Sequence, residues 1–361
     1  MNSHIGVIRI PIQRLHLEIT NICNFCCDFC PNASMTRPKG MMPLDLAKSI
    51  LDEVSRTRIV NLVLFHVMGE PTLHPHLVEM AEYARSRNVD VCLTTNASRL
   101  SEDMLAALCR AGVRHIIISL QTPDDQSFAM RGASDLSFYE YARRITSLVH
   151  CFFMQPSKTE TAISIDFLTS PLRRLVVPLM EEFSIIDTTR KLRQHLATWA
   201  RRTIEGTAFE HGLPEALKQI RRATVFRENR IAVAPRLTFH TRIVGDWANH
   251  FQRPILQARV GFCPGLQENF GILWNGDFVF CCTDFDGRTS TANFREMSIT
   301  DYLATDMVQQ TVAGFRSFRV RHPHCRLCMG DSSLLKSLGK QLGSILYFKL
   351  LKNMKSGNRW A

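Results

Sequence analysis

The feature that most constrains this chain is a short cysteine-rich loop, Cys23-Asn24-Phe25-Cys26-Cys27-Asp28-Phe29-Cys30-Pro31, which follows a strand-like stretch at 15–20. Its C-x3-C-x2-C spacing provides three thiolates, which can bind one iron–sulfur cluster by ligating one iron each. A cluster of four irons then keeps one iron without a protein ligand. Because an open metal position can bind a substrate or cofactor, we expect a reactive site here.

The same loop contains a competing pattern, because Cys26 creates two adjoining C-x2-C pairs, Cys23/Cys26 and Cys27/Cys30. Such pairs can hold a structural zinc ion. Zinc motifs usually separate their two pairs by about a dozen residues or more, so that the pairs can face each other. The spacing therefore favours a cluster, with zinc or unligated thiols as the alternatives.

The composition indicates a folded chain with a large core, since 45% of its 361 residues are hydrophobic. The twelve cysteines cluster in C-x2-C groups, which is typical of metal binding in a reducing compartment rather than of a secreted disulfide scaffold. The N-terminal residues lack the basic segment and apolar core of a signal peptide. No apolar run approaches the roughly 18 residues of a membrane span. We expect a cytoplasmic protein.

The net charge of +11 is concentrated in two segments. Residues 332–361 contain Lys and Arg but no acidic residue, and residues 184–232 form a basic, helix-patterned stretch that we interpret as an insertion. Either segment could be a solvated face. Alternatively, each could contact anionic lipid, nucleic acid or a phosphorylated substrate. The tail at 332–361 has leucines at helical spacing between its lysines, so we expect a basic amphipathic helix.

The first two-thirds of the chain alternates strand-like and helix-like patterns, which predicts an α/β fold with a parallel sheet. Functional residues in such sheets gather at the carboxyl ends of the strands. The candidate strands are Leu15–Thr20, Val60–Val67, Val89–Thr95, Val113–Leu120, Ala162–Leu168 and Ala232–Ile243.

Polar groups follow the second, third and fourth of these strands and should converge on one rim of the sheet. Gly69 and Glu70 follow the second strand, Asn96 the third, and Ser119 and Gln121 the fourth. Each has a purely local alternative. Glu70 could cap a helix, Asn96 could be a turn residue, and Ser119 could satisfy a backbone group at the strand end.

A second set of cysteines lies downstream. The segment from Cys263 to Cys281 contains an Asn-Gly pair that predicts a hairpin turn, and a hairpin brings its two ends together. A C-x2-C pair, Cys325 and Cys328, completes four thiolates. Such a set could be a structural zinc ribbon or a fully ligated iron–sulfur cluster. The adjacent Cys282 could replace Cys281 as a ligand or fill a small buried site.

The first loop resembles the signature of the radical S-adenosylmethionine (radical SAM) superfamily. This resemblance implies a partial (β/α)6 TIM-like barrel, placed at residues 13–245, in which SAM chelates the open iron through its amino and carboxylate groups. The reduced cluster then cleaves SAM to a 5′-deoxyadenosyl radical.

The same resemblance implies roles for individual residues. Gly69 and Glu70 would engage the amino group of SAM, and Phe29 would border the adenine, with loop packing as its alternative. The methionine moiety or the ribose would be contacted by Asn96, Ser119 and Gln121. The Arg131-Gly132 pair also matches a segment of one branch of the superfamily, and its guanidinium could pair with a carboxylate or hold the loop.

The second cysteine set resembles the twitch extension, a shorter relative of the SPASM extension. It implies a cysteine-rich β-hairpin/helix domain at residues 246–331 that holds one auxiliary [4Fe-4S] cluster through Cys263, Cys281, Cys325 and Cys328. Cys282 is in this context a candidate hydrogen-atom donor.

The implied function is hydrogen abstraction from a C–H bond, with oxidation or epimerisation of a carbohydrate-like or other small polar metabolite as the first expectation. Modification of a ribosomally synthesised peptide is the alternative, and a zinc-stabilised RNA-binding protein is a second, non-enzymatic one. The enzymatic interpretation requires an electron donor such as flavodoxin or ferredoxin. Under this interpretation the tail could contact an anionic membrane, and a nucleic-acid partner is not expected.

Overall fold

The chain has a mixed α/β fold with a central parallel sheet, consistent with the expected partial TIM barrel. The structure, a computed structural model, describes residues 3–155, 160–171, 185–245, 247–251 and 254–351. Ser184, the first residue of the predicted insertion, and residues 352–361 of the tail lie outside these ranges. The chain divides into two compact units. The barrel unit comprises Ile19–Ala33 and Leu64–Gly245, and the auxiliary unit comprises Met1–Glu18, Ser34–Val63 and Asp246–Ala361.

The strands of the barrel unit form a mainly parallel sheet. Val91–Thr95, His115–Gln121, Ala162–Thr169 and Leu237–Ile243 pair in parallel in this order, and Val63–Phe65 flanks the first of them. The second to fifth predicted strands are therefore present, and the second and third are shorter than the sequence suggested. The first, predicted at Leu15–Thr20, is present as the shorter Arg14–Leu17.

One predicted strand, Ala232–Ile243, is wrong as a single element. It is the end of a hairpin, in which Asn229–Ala234 runs antiparallel to Leu237–Ile243. The chain turns at Pro235 and Arg236. Pro235 has no amide hydrogen for a sheet, and Arg236 adopts a positive φ of 62°.

The helices of the barrel unit pack their apolar faces on the sheet. Trp199, in the basic stretch at residues 185–232, lies 6.4 Å from the Phe167 ring, and Phe167 lies 5.2 Å from Phe239. The indole of Trp199 also donates to the Pro123 carbonyl at 3.0 Å. The longer helices are Leu77–Ser86, Glu102–Arg110, Phe138–Met154, Thr189–Ile204 and Leu213–Ile220.

The auxiliary unit combines a small sheet with helices. Asn269–Ile272 pairs in parallel with Arg14–Leu17 and antiparallel with Phe278–Val279, and Ser3–Ile5 forms a hairpin with Ile8–Ile10. The helices are Leu44–Thr57, Ile299–Ala304, Asp306–Arg316, Pro323–Met329 and Leu334–Leu346. Across the described residues of both units, no helix combines the length and apolar character needed to cross a bilayer.

Candidate active site and auxiliary cluster site

The three thiols predicted as cluster ligands lie together in the barrel unit. Burial, together with the nearby Glu70 and Cys27, raises the pKa of Cys23 to about 11. Burial likewise raises the pKa of Cys30 to about 12, with further contributions from Cys27 and Cys23. Cys26, by contrast, is exposed. The three ligands expected from the spacing thus form one electrostatically coupled, partly buried group, and Cys26 faces solvent.

The cysteine loop is held against the segment at residues 130–132. The Cys26 amide donates to the Arg131 carbonyl at 3.1 Å, and the Asp28 amide donates to the Met130 carbonyl at 2.9 Å. Gly132 has a φ of +55°, and a Cβ there would lie 2.6 Å from the Cys26 carbonyl oxygen. Only glycine fits this approach without displacing the loop.

Arg131 is buried beside the thiols, with 2% of its surface exposed. Its guanidinium lies 5.0 Å from the Phe25 ring centroid and 5.9 Å from that of Phe29. One nitrogen donates to the Gln121 side chain, whereas Nε has no hydrogen-bond partner among the described residues. Burial raises the pKa of Cys27, and the Arg131 charge is the largest influence that opposes this shift. A buried cation beside three thiols fits a site that must hold thiolates.

Gly69 and Glu70 lie against the backbone that leads into the cysteine loop. Gly69 has a φ of +77°, and a Cβ there would meet the Thr20 carbonyl oxygen at 2.4 Å. The Glu70 amide donates to the Ile22 carbonyl at 2.8 Å. This glycine therefore permits the close contact that sets the start of the loop.

The Glu70 carboxylate is buried and accepts hydrogen bonds at both oxygens. Oε1 accepts from the Thr72 amide at 3.0 Å, from its hydroxyl at 2.7 Å and from the Thr95 hydroxyl at 2.6 Å. Oε2 accepts from the Asn96 amide at 2.5 Å. Glu70 thus caps the short 3₁₀ helix Pro71–Leu73, the local role that the sequence also allowed. Its contact with SAM remains a prediction.

The other predicted contact residues have different surroundings. Asn96 Nδ2 donates to Asn24 Oδ1 at 3.1 Å and lies 3.9 Å from the Cys23 sulfur. Gln121 binds Arg131 as described above, and Phe29 is buried next to the same guanidinium. Ser119 donates to the Thr95 carbonyl at 2.9 Å, so its hydroxyl satisfies a strand-end backbone group.

A polar cluster on the sheet of the barrel unit was missed by the sequence reasoning. Asp166 is 5% exposed; one of its oxygens lies 2.9 Å from Arg242 Nε and the other 3.7 Å from His240 Nδ1. Burial and the Arg242 charge lower the pKa of His66 to about 4, which places His66 near this cluster. Part of the signal was available, because Asp166 is the one charged residue of its strand and because His240 and Arg242, two residues apart in theirs, share a face.

The predicted hairpin between Cys263 and Cys281 is confirmed. Gly276 lies in its turn, where the Leu273 amide donates to the Asp277 carbonyl at 2.9 Å. Gly265 lies between the two cysteines, because a Cβ on it would be 3.4 Å from the Cys263 sulfur and 3.8 Å from the Cys281 Cβ.

The helix Pro323–Met329 carries Cys325 and Cys328 one turn apart. Burial raises the pKa of Cys325, followed by the effects of Cys281, Cys263 and Cys328. The four predicted ligands of the auxiliary unit are therefore mutual neighbours. Among the neighbouring charges, Cys281 has the largest effect on the pKa of both Cys325 and Cys263, and at Cys263 it exceeds Cys282, which favours Cys281 as the ligand.

The two sets of thiols fit two iron–sulfur clusters, one with an iron that lacks a protein ligand and one whose irons all have a protein ligand. Three thiols with a buried cation lie in the barrel unit, and four thiols lie in the auxiliary unit. Within the described residues, no three His, Cys, Asp or Glu side chains converge tightly enough to coordinate a single metal ion.

Two family models match this chain. That of the radical SAM superfamily matches residues 17–150, and that of the SPASM iron–sulfur cluster-binding domain matches residues 263–329. They imply a [4Fe-4S] cluster that works with SAM, and auxiliary iron–sulfur binding.

Two curated relatives align with part of the chain. The tungsten-containing aldehyde ferredoxin oxidoreductase cofactor-modifying protein of Pyrococcus furiosus is 32% identical over 109 residues, which are 30% of this chain and 31% of the relative. The PqqA peptide cyclase of Rhodopseudomonas palustris is 35% identical over 113 residues, 31% of this chain and 29% of the relative. The chain thus aligns with about a third of each relative's length.

A solved structure extends the likeness of fold to most of the chain. SuiB of Streptococcus suis, bound to S-adenosylmethionine, has a TM-score of 0.55 and 16% identity, and the match covers 89% of this chain and 71% of that chain. The two domain matches thus identify a radical SAM domain at residues 17–150 and a SPASM iron–sulfur cluster-binding domain at residues 263–329, and the likeness to SuiB concerns the fold.

Proposed function

We propose that this enzyme cleaves SAM reductively and abstracts hydrogen from a C–H bond of its substrate. The observation that carries the proposal is the coupled thiol group of Cys23, Cys27 and Cys30, fixed between Gly69 and the Arg131-Gly132 segment. When bound, the cluster and SAM supply a radical that can attack unactivated C–H bonds. The chain itself orients these groups and the substrate.

Arg131 acts on the electrostatics of the thiols. Its buried positive charge opposes the rise in the pKa of Cys27 that burial causes. Asn96, 3.9 Å from the Cys23 sulfur, adds a side-chain donor. Both groups stabilise thiolate charge in a partly buried loop.

The substrate, on our proposal, binds against the polar cluster formed by Asp166, His240 and Arg242. A buried carboxylate and a guanidinium 2.9 Å apart can accept and donate hydrogen bonds to a polar substrate, and Arg242 retains 40% of its side-chain surface for such contact. Replacing Asp166 by Asn should leave SAM cleavage in place but reduce product formation more than tenfold, since one hydrogen bond to a charged group contributes about 1.5–3 kcal/mol.

We further propose a peptide substrate. The carbohydrate-like substrate expected from the sequence has no support among the reported relatives, one of which is named as a peptide cyclase. The charged cluster suits a peptide with ionised side chains. The four-thiol set, with no open ligand position, would suit electron removal from the substrate and hence oxidation rather than epimerisation.

Deuterium transfer tests the substrate class. The reconstituted enzyme would be incubated anaerobically with SAM, a reductant and an extract that retains both peptides and small molecules, from cells grown in heavy water, and 5′-deoxyadenosine would be analysed by mass spectrometry. We expect deuterium incorporation that disappears after protease treatment of the extract and survives periodate, which destroys vicinal diols. Loss with periodate alone would instead indicate a carbohydrate.

A further inference from the structure

The tail helix Leu334–Leu346 packs on the auxiliary unit through its polar side. Gln341 is 8% exposed, and its Oε1 accepts from the amides of Arg259 at 3.3 Å and Val260 at 3.1 Å. Ser344 accepts from the Phe262 amide at 3.1 Å. Lys340 donates to Asn249 Oδ1 at 2.8 Å. Side-chain amide and hydroxyl groups, rather than leucines, thus hold this helix to its own unit.

The apolar side of the same helix faces outward. Its leucines follow one another at helical spacing, so they form a continuous row along one side. We call them the leucine row: Leu334 at 65% exposure, Leu335 at 84%, Leu338 at 46%, Leu342 at 62% and Leu346 at 52%. An amphipathic helix of a globular protein normally buries this side. Here the usual arrangement is inverted, which marks the row as a contact surface.

The net charge of the tail sequence identifies the partner of the row. After Asp331 the sequence contains no acidic residue but has six basic ones, Lys336, Lys340, Lys349, Lys352, Lys355 and Arg359, the last three of them outside the described residues. Lys340 contacts Asn249, and Lys349 lies 4.6 Å from the Phe262 ring, so these two charges add to the positive potential of the tail from its docked side. A second copy of the chain would bring two such cationic segments together and repel. A nucleic acid would leave the leucines exposed. An anionic lipid surface satisfies both features, because leucines enter the interface while lysines meet the headgroups.

We propose that the leucine row binds the surface of an anionic membrane, to which the positive charge of the tail sequence attracts it. The helix lies in the plane of the interface with its leucines in the acyl boundary. This surface is independent of the cluster chemistry, so its test does not depend on the proposed enzymatic function.

Vesicle co-sedimentation of the full chain tests the proposal. The protein would be mixed with vesicles of phosphatidylcholine alone or of an equal mixture with phosphatidylglycerol. We expect binding to the mixed vesicles only, weakened by added salt. The variant Leu335→Gln/Leu342→Gln should bind about a hundredfold less, at roughly a tenfold loss per leucine. The control Met154→Gln/Phe226→Gln changes side chains that are 84% and 63% exposed in the barrel unit, and should bind like the wild type.

A separate variant tests the contribution of the basic residues to binding. Lys352→Gln/Lys355→Gln/Arg359→Gln should weaken binding to the mixed vesicles by about fivefold per charge. Absence of wild-type binding, or equal binding of the leucine variant, would overturn the proposal. So would a wild-type dimer that the leucine variant converts to a monomer, because the row would then serve a second copy.

Discussion

The guanidinium of Arg131 lies 5.0 Å from the ring of Phe25, a residue of the cysteine loop that contains the three candidate cluster ligands. The Arg131 carbonyl also accepts the Cys26 amide at 3.1 Å. One residue thus fixes the loop through its backbone and places a positive charge beside its thiols. The loop depends on this neighbouring segment as much as on its own sequence.

Gly132 should be essential for the first cluster. In Gly132→Ala the new methyl group would meet the Cys26 carbonyl oxygen at 2.6 Å, so the loop must move. We expect loss of most iron from this site and of 5′-deoxyadenosine formation. The matched control is Gly206→Ala, because Gly206 also has a positive φ, +75°, but no atom lies within 4 Å of the added carbon. It should lose only about 1–2 kcal/mol of stability from the backbone conformation. Equal iron content in the two variants would contradict this role.

Cys281 rather than Cys282 should ligate the auxiliary cluster. Among the neighbouring charges, Cys281 has the largest effect on the pKa of Cys325 and of Cys263. Iron analysis of Cys281→Ala should show a loss of about four irons per chain, while Cys282→Ala should keep them. The reverse pattern would show that the neighbouring thiol is the ligand.

Stability should fall in acid through His66. Its folded pKa is lowered to about 4 from 6.5, mainly by burial. Between these values the unfolded chain binds a proton that the folded chain does not, so the stabilisation is complete above pH 6.5 and is lost as the pH falls towards 4. In anaerobic urea unfolding, the free energy of unfolding should fall less between pH 6.5 and pH 4 in His66→Gln than in the wild type, by on the order of 2 kcal/mol. The exposed control His211→Gln should match the wild type; an unchanged slope in His66→Gln would contradict the assignment.

The grouping of the candidate ligands and most of the sheet could be predicted from local patterns. The spacing of Cys23, Cys27 and Cys30 and the Asn275-Gly276 turn are short-range features, and local geometry decides them. The split at Pro235 was also visible in principle, because proline cannot donate within a strand. It was overlooked since the apolar pattern continues on both sides.

The remaining features depend on which elements meet in space. The burial of Arg131 follows from the packing of its segment on the cysteine loop, and the pairing of Asp166 with Arg242 follows from strand register. Helical periodicity predicted an amphipathic tail, but not that its polar side, at Gln341, would be the docked one. Local sequence patterns do not specify such pairings.

We propose that Cys23, Cys27 and Cys30, without Cys26, hold the iron–sulfur cluster that works with SAM. Electron paramagnetic resonance of the reduced, reconstituted protein, recorded with and without SAM, tests this assignment. We predict that SAM changes the signal of one cluster in the wild type and in Cys26→Ala, and that this response is absent from Cys23→Ala, Cys27→Ala and Cys30→Ala. A SAM-induced change that persists in any of these three variants, or disappears in Cys26→Ala, would contradict the assignment.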